Sequence, residues 1–125
     1  MTDTAMDRRI QNDMARKPVS AFLWWGMPIV VAMAADLLRP TLREIAAVWA
    51  VAFTWMAAGC FLNALRCHRL HCYFSGPIFL IGAVVAAALA SGAALPANSL
   101  NYDIAATFVL VLLTFTPETF WRKYL

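Results

Sequence analysis

The chain has 125 residues, of which 62% are hydrophobic and 14% are charged, and its formal net charge is +3. A composition this apolar leaves too few polar side chains to cover a water-soluble domain of this size, so it predicts a protein embedded in a lipid bilayer. The positive charge forms no basic stripe with interleaved aromatic residues. It therefore indicates orientation in the membrane and not binding to nucleic acid.

Four predominantly apolar segments predict transmembrane helices, because a helix needs roughly 20 such residues to cross the hydrocarbon layer of ~30 Å. In chain order the segments cover residues 19–38, 45–65, 77–95 and 100–121. The fourth is the most polar at its start, where Asn101 and Asp103 lie. Residues 1–18 form a polar segment that is predicted to be cytoplasmic. The chain is therefore predicted to be a single all-α transmembrane domain over residues 1–125.

Lysine and arginine residues are unevenly divided between the two ends of these segments, and the cytoplasmic ends are usually the richer ones. Arg39 and Arg43 follow the first segment. The others lie near the termini and in the predicted 66–76 connection: Arg8, Arg9, Arg16, Lys17, Arg66, Arg69, Arg122 and Lys123. This distribution predicts a bacterial inner-membrane protein with both termini in the cytoplasm. Because the connections are short, consecutive helices are predicted to be antiparallel neighbours in an up-down four-helix bundle.

The third segment contains a row of small residues. Gly82, Ala86 and Ala90 recur at every fourth position, and small side chains let helices approach closely in lipid. This row predicts that the third helix lies at the centre of the bundle, and an alanine-rich helix without special packing is the alternative. Pro77 is predicted to occupy the first turn of this helix, where its missing N–H removes no hydrogen bond.

The most distinctive chemical feature is the segment 66–72, Arg-Cys-His-Arg-Leu-His-Cys. If the second helix continues through it, Cys67 and His71 share one face, and His68 and Cys72 share an adjacent face. Cys60 lies on the face of Cys67 and His71, deeper in the membrane. Thiolate and imidazole groups suit soft or borderline ions such as Cu(I), Zn(II) and Hg(II). The predicted metal ligands are therefore Cys60, Cys67, His68, His71 and Cys72.

Other interpretations of these residues stay open. The Cys-x4-Cys spacing differs from the Cys-x2-Cys of zinc knuckles and thioredoxin-like sites. One helical turn does not close a tetrahedral site, so two or three ligands completed by a second copy or a membrane-protein partner are expected. A buried cysteine is often only a small apolar residue, and reversible thiol oxidation is a further alternative. No catalytic motif occurs, and no orienting carboxylate is suggested for a thiol enzyme that would use Cys67 and His71.

Two acidic residues near the opposite membrane face form a second candidate site. Asp36 and Asp103 lie at the ends of the first and fourth segments, and ionisable groups within membrane spans are functional candidates because they are costly to bury. The pair predicts a place where a cation enters the protein. Solvated helix ends are the alternative.

The stretch 66–77, Arg-Cys-His-Arg-Leu-His-Cys-Tyr-Phe-Ser-Gly-Pro, resembles an Arg-Cys-x-Arg-x-His-Cys-Tyr-Phe-Ser/Thr-Gly-Pro signature in a group of short, largely uncharacterised bacterial membrane proteins. This resemblance implies the architecture and supplies no activity. In size, span number and membrane-proximal cysteines, the chain is also similar to the small mercuric-ion transporters of bacterial resistance systems. Those proteins typically carry a cysteine pair in the first span, whereas residues 19–38 contain none.

Two functions follow as hypotheses. The first is a membrane protein that binds or transports a soft or borderline metal ion, such as Hg, Cu or Zn, through the Cys/His cluster. The second is a non-catalytic accessory subunit or assembly factor of a larger membrane complex, to which the small-residue helix and the Cys/His segment would dock.

Overall fold

The computed structural model describes residues 2–38, 41–96, 98–121 and 124, and every regular element among them is a helix. The helices are α1 (Thr2–Asn12), α2 (Pro18–Leu37), α3 (Leu42–Cys67), α4 (Leu70–Ala90), α5 (Ser99–Leu113) and α6 (Thr116–Phe120). A short 3₁₀ turn, Met14–Arg16, joins α1 to α2. The prediction of an all-α protein is therefore confirmed.

Four helical segments are long and apolar enough to cross a membrane: Pro18–Leu37, Leu42–Cys67, Leu70–Ala90 and Ser99–Phe120. They correspond to the four segments expected from the sequence, and the last combines α5 and α6. Three of the charges in the orientation argument, Arg39, Arg122 and Lys123, lie outside the described residues.

The connection between α3 and α4 is much shorter than the predicted connection over residues 66–76. Helix α3 ends at Cys67 because His68 adopts a left-handed conformation, with φ of 55°, and a residue in this conformation terminates an α-helix. Helix α4 then begins at Leu70. Pro77 therefore lies inside α4 and not in its first turn.

Helix α2 contains a π-helical turn over Phe22–Gly26. In this turn the N–H of Met27 donates to the carbonyl of Phe22, and such turns accommodate a local irregularity in an α-helix. Trp24, which lies in this turn, packs against Gly59 of α3. A Cβ at Gly59 would lie 3.0 Å from the indole Cε3 of Trp24. The glycine therefore permits the close approach of α2 and α3.

Helices α3 and α4 form the centre of the packing: α3 also contacts α2, and α4 also contacts α5. Their shared core is aromatic, with Phe53 packed among the rings of Trp49, Phe79 and Phe108. Gly82 brings α4 close to α5, since a Cβ there would lie 2.6 Å from Thr107 Oγ1. These contacts agree with the small-residue row predicted for the third span.

Candidate functional site

A buried charged network joins both terminal regions to the turn between α3 and α4. Asp13, which is 0% exposed, follows α1 and accepts a hydrogen bond from the N–H of Ala15 at 3.0 Å. Its Oδ2 lies 2.7 Å from Nη1 of Arg69 and accepts a bond from the Tyr124 hydroxyl at 3.0 Å. Its Oδ1 accepts a bond from Nδ2 of Asn63 at 3.0 Å. Asp13 is therefore held by groups from three parts of the chain.

Glu118 occupies the other side of Arg69. Its Oε1 lies 3.3 Å from Nε of Arg69 and accepts a bond from the backbone N–H of His71 at 3.1 Å. The same oxygen lies 2.6 Å from Nδ1 of His71. Because an ionised carboxylate only accepts hydrogen bonds, this contact requires a proton on Nδ1, and Nε2 of a neutral ring is then an acceptor. The guanidinium of Arg69 thus bridges two carboxylates.

The network fixes the ionisation of the groups outside the spans. Burial alone would raise the pKa of Asp13, but the hydrogen bond from Asn63 and the charge of Arg69 hold that pKa below its ordinary value. Burial opposes the charge of Arg69, and the two carboxylates nevertheless raise its pKa. Burial and the neighbouring Asp13 raise the pKa of Tyr124. Asp13 and Arg69 therefore form an ion pair, to which Tyr124 donates as a neutral phenol.

Cys60 on α3 and Cys72 on α4 lie in the same buried cluster, close enough for their thiols to interact. Both residues are buried and neither is in a disulfide. The Cys60 sulfur also accepts bonds from the indole Nε1 of Trp25 at 3.3 Å and the hydroxyl of Ser75 at 3.2 Å. The Cys72 sulfur lies 3.5 Å from Nε2 of His71 and 3.4 Å from Nδ2 of Asn63. These two cysteines and His71 are the predicted ligands that the fold brings together.

Cys67 and His68 are directed elsewhere. The thiol of Cys67 donates to the carbonyl of Asn63, one turn earlier in the same helix, at 3.0 Å. Nδ1 of His68 lies 2.8 Å from the Tyr73 hydroxyl. The expectation that Cys67 and His71 share one helical face is wrong, because it assumed that α3 continues past His68.

A cavity of about 330 Å³ lies beside the thiol pair. Its walls come from α2, α3, α4 and α5, and Cys60 is the thiol that lines it. Ser75, His71 and Arg69 contribute polar groups to the lining, and the other side chains are aromatic or aliphatic. The arrangement places one thiol at the edge of a mostly apolar cavity.

The described part of the chain contains no group of three or more His, Cys, Asp or Glu side chains arranged to hold a metal ion. A closed tetrahedral zinc site of the structural type needs four such ligands. What the fold offers is a pair of thiols, with one imidazole beside Cys72. This donor set suits a soft ion of low coordination number better than Zn(II).

Asp36 and Asp103, the predicted place of cation entry, have different surroundings. Asp36 is exposed on α2. Asp103 is partly buried on α5, and its Oδ2 is buried without a hydrogen-bond partner. Its carboxyl group otherwise contacts Thr107.

Several residues of the network were not identified from the sequence. Asp13 and Glu118 are separated from Arg69 by 56 and 49 positions, so no local spacing relates them. Glu118 gave one usable signal, because it is a carboxylate in the last turn of an apolar segment. Glu118 also orients His71, and the sequence had suggested no carboxylate for that role.

No family model, curated protein or solved structure significantly matches this chain. The resemblances drawn from residues 66–77 and from the number of spans therefore stay predictions.

Proposed function

We propose that this chain is a small bacterial inner-membrane protein that binds a soft metal ion between the thiols of Cys60 and Cys72 and passes it across the membrane. The observation that carries the proposal is that α3 and α4 bring Cys60 and Cys72 into one buried cluster, where the hydroxyl of Ser75, three residues after Cys72, donates to the Cys60 sulfur at 3.2 Å. Cu(I) and Hg(II) are the ions of choice, since both favour thiolate ligands and accept few of them.

The surroundings of the two sulfurs support this role. Ligands of protein-bound metals are usually oriented by further hydrogen bonds, which also tune the ligand. Trp25 and Ser75 donate to Cys60, and Asn63 donates to Cys72. Three donors thus point at the two sulfurs, an arrangement that favours negatively charged, metal-bound thiolates.

The proposed topology is an up-down bundle with both termini in the cytoplasm. Its support is the excess of Lys and Arg on that side of the sequence, together with the network that ties Asp13 and Tyr124 to the α3–α4 turn. The buried thiol pair then lies in the half of the bundle nearer the cytoplasm, a reducing compartment in which thiols stay free for a metal ion. A reporter enzyme that works only in the cytoplasm, fused after Leu125, should be active, and activity of a periplasmic reporter there would refute this orientation.

Metal binding is tested on purified protein in detergent under reducing, anaerobic conditions. Wild-type protein should bind Hg(II), and Cu(I) in competition with a chelator, at about one ion per chain. Cys60→Ser and Cys72→Ser should each lose this stoichiometric binding. The matched control is Cys67→Ser, because a serine hydroxyl can still donate to the Asn63 carbonyl that Cys67 contacts.

Two results would overturn the proposal. One is a wild-type protein that binds neither ion above the level of the double variant Cys60→Ser/Cys72→Ser. The other is a Cys67→Ser variant that loses binding while Cys60→Ser retains it. Circular dichroism and gel filtration of each variant establish that the fold is intact.

A role as an accessory subunit or assembly factor is the second candidate, and one surface favours it. An alanine-rich surface of α3 and α4 forms a shallow groove of about 360 Å³, lined by Ala50, Val51, Thr54, Trp55, Ala58, Ala83 and Ala87. Small side chains allow a second transmembrane helix to approach closely. If a partner helix occupies the groove, Ala58→Leu should release a stable complex into its components, as measured by native mass in mild detergent.

A further inference from the structure

The cavity beside Cys60 is much larger than a bare metal ion requires. It measures about 330 Å³, which is within the lower range of pockets that hold organic ligands. Four aromatic side chains line it, Trp25, Phe79, Phe108 and Phe115. Aromatic rings favour offset-stacked or edge-to-face packing against another ring. The apolar walls therefore fit a planar ring system.

The polar groups of the lining indicate which ring system. Ser75, His71 and Arg69 line the same cavity as the aromatic residues. The hydroxyl of Ser75 already donates to Cys60. The guanidinium of Arg69 has five N–H groups, two more than the three that bond Asp13 and Glu118, and such donors suit carbonyl oxygens on an otherwise apolar ligand. A ligand with its own charged groups would lose solvation against the aromatic walls without a partner for each charge. An apolar ring that carries carbonyl oxygens matches both kinds of surface.

The thiol pair supplies the reaction for such a ligand. Cys60 lines the cavity, and Cys72 is its neighbour in the same buried cluster. We infer that the cavity binds a lipid-soluble quinone and that the quinone oxidises Cys60 and Cys72 to a disulfide. Quinones are the oxidants that bacterial membranes use in protein disulfide formation, and they reach the protein through the bilayer.

The step balances between the two thiols and one quinone. The Cys60 thiol gives up its proton as its sulfur adds to a ring carbon of the quinone, and a quinone oxygen takes up one proton. The Cys72 sulfur then attacks the sulfur of Cys60, which forms the S–S bond and breaks the S–C bond. The ring leaves as the hydroquinone, so that two electrons and two protons have moved from the thiols to the quinone.

His71 is the base for the second thiol, and Glu118 positions its imidazole. Nε2 of His71 lies 3.5 Å from the Cys72 sulfur, and Nδ1 is held by Glu118 at 2.6 Å. The imidazole is therefore oriented to accept the Cys72 proton while the sulfur attacks Cys60. A thiol, a base and a carboxylate that orients the base form the arrangement that activates cysteine nucleophiles.

This activity goes beyond metal binding and can be separated from it. A metal ion needs both sulfurs as thiolates, whereas the disulfide offers neither, so oxidation by a quinone would release a bound ion. The two properties use the same sulfurs but different surfaces. Only the quinone needs the aromatic part of the cavity.

The test uses the reduced full-length protein in nanodiscs, mixed with decylubiquinone without oxygen. Wild type should lose two thiols for each quinone reduced, as followed by quinone absorbance and by alkylation of the remaining thiols. Peptide mapping should find Cys60 joined to Cys72 and Cys67 still free. Cys60→Ser and Cys72→Ser should form no such disulfide, and Cys67→Ser should react like wild type.

A cavity-filling variant separates a bound quinone from random oxidation. Val111 lines the cavity, so Val111→Phe should slow disulfide formation at least tenfold. Its matched control is Leu112→Phe on the neighbouring exposed position of α5, which should react at the wild-type rate. In case Val111→Phe misfolds, quinone binding is also measured directly in Cys60→Ser, where saturable quenching of tryptophan fluorescence is expected.

Several results would overturn the inference: no oxidation of the wild type, equal rates for Val111→Phe and wild type, a disulfide that contains Cys67, or no saturable quenching in Cys60→Ser. Binding of Hg(II) and Cu(I) is measured on the same reduced preparations. If the ions bind but the quinone does not react, the metal function stands and the quinone site fails. If the quinone reacts but no ion binds, the quinone site stands and the metal function fails.

Discussion

Replacing Asp13 with alanine tests the buried network most directly. Asp13 is fully buried and takes hydrogen bonds from Asn63, Arg69, Tyr124 and the backbone of Ala15. Removing one member of a buried ion pair usually costs about 3–5 kcal/mol, because the remaining charge is left without compensation.

For this chain we expect the lower end of that range, about 3 kcal/mol. Glu118 remains within 3.3 Å of Arg69 and still balances part of its charge. The loss corresponds to roughly a 100-fold change in the unfolding equilibrium, since about 1.4 kcal/mol is tenfold. Most of the loss of stability is expected from the uncompensated charge of Arg69, and a smaller part from the Tyr124 hydroxyl, which loses its acceptor.

The free energy of unfolding is measured by titrating the detergent-solubilised protein with sodium dodecyl sulfate and following the helical circular dichroism signal. Asp7→Ala is the matched control, because Asp7 is an exposed acidic residue on α1, and such a change should stay within about 0.5 kcal/mol of wild type. If Asp13→Ala and Asp7→Ala are equally stable, the network does not hold the terminal regions in the way described.

Three further measurements address separate parts of the structure. The pKa of Asp13 is lowered in the folded state. The stability that ionised Asp13 contributes is therefore complete above its ordinary pKa of about 3.9 and is lost as the pH falls through the lower pKa of the folded state. Acid unfolding curves of wild type and Asp13→Asn should converge at low pH, and parallel curves would contradict this. Gly82→Ala should destabilise the protein by about 1–3 kcal/mol through overpacking against Thr107, and Thr107→Ala should rescue it if the clash is the cause. Thr41→Ala should cost about 1 kcal/mol by removing the capping box of α3 with Glu44, and an unchanged unfolding midpoint would argue against that cap.

The four spans could be predicted from the sequence because their signal is local. A bilayer requires about 20 apolar residues in a row, and each of the four segments shows this property without reference to any other part of the chain. Their cores were correctly placed, while their ends moved. The start of α4 at Leu70 was missed because His, Cys and Ser made the stretch 70–76 look like a connection.

The turn at His68 had no sequence signal. Glycine or asparagine usually occupies a left-handed position at the end of a helix, and neither is present at 67–69. The metal-site hypothesis paired Cys67 with His71 on the condition that the second helix continues through this segment. The actual turn folds α4 back against α3 and pairs Cys72 with Cys60 instead. The candidate residue types were found, but their partners depended on one backbone angle.

The network of Asp13, Arg69 and Glu118 could not be predicted, because its members are far apart in sequence and each alone looks like an ordinary charge near a membrane. Long-range pairing of this kind depends on how helices are arranged, and hydropathy carries no information about it. The three-dimensional arrangement also changed the meaning of Glu118, from a polar residue at a helix end to the partner of His71.

The same network has a consequence for biosynthesis. Asp13 leaves the ribosome 111 residues before Tyr124, whose hydroxyl completes its set of hydrogen bonds, and Glu118 follows Arg69 by 49 residues. While residues 70–117 are being made, Arg69 therefore lacks one of its two carboxylates. A chain that stops before the fourth span lacks Glu118, so Arg69 at the α3–α4 turn keeps only Asp13 as a partner and its charge is less well compensated than in the complete bundle.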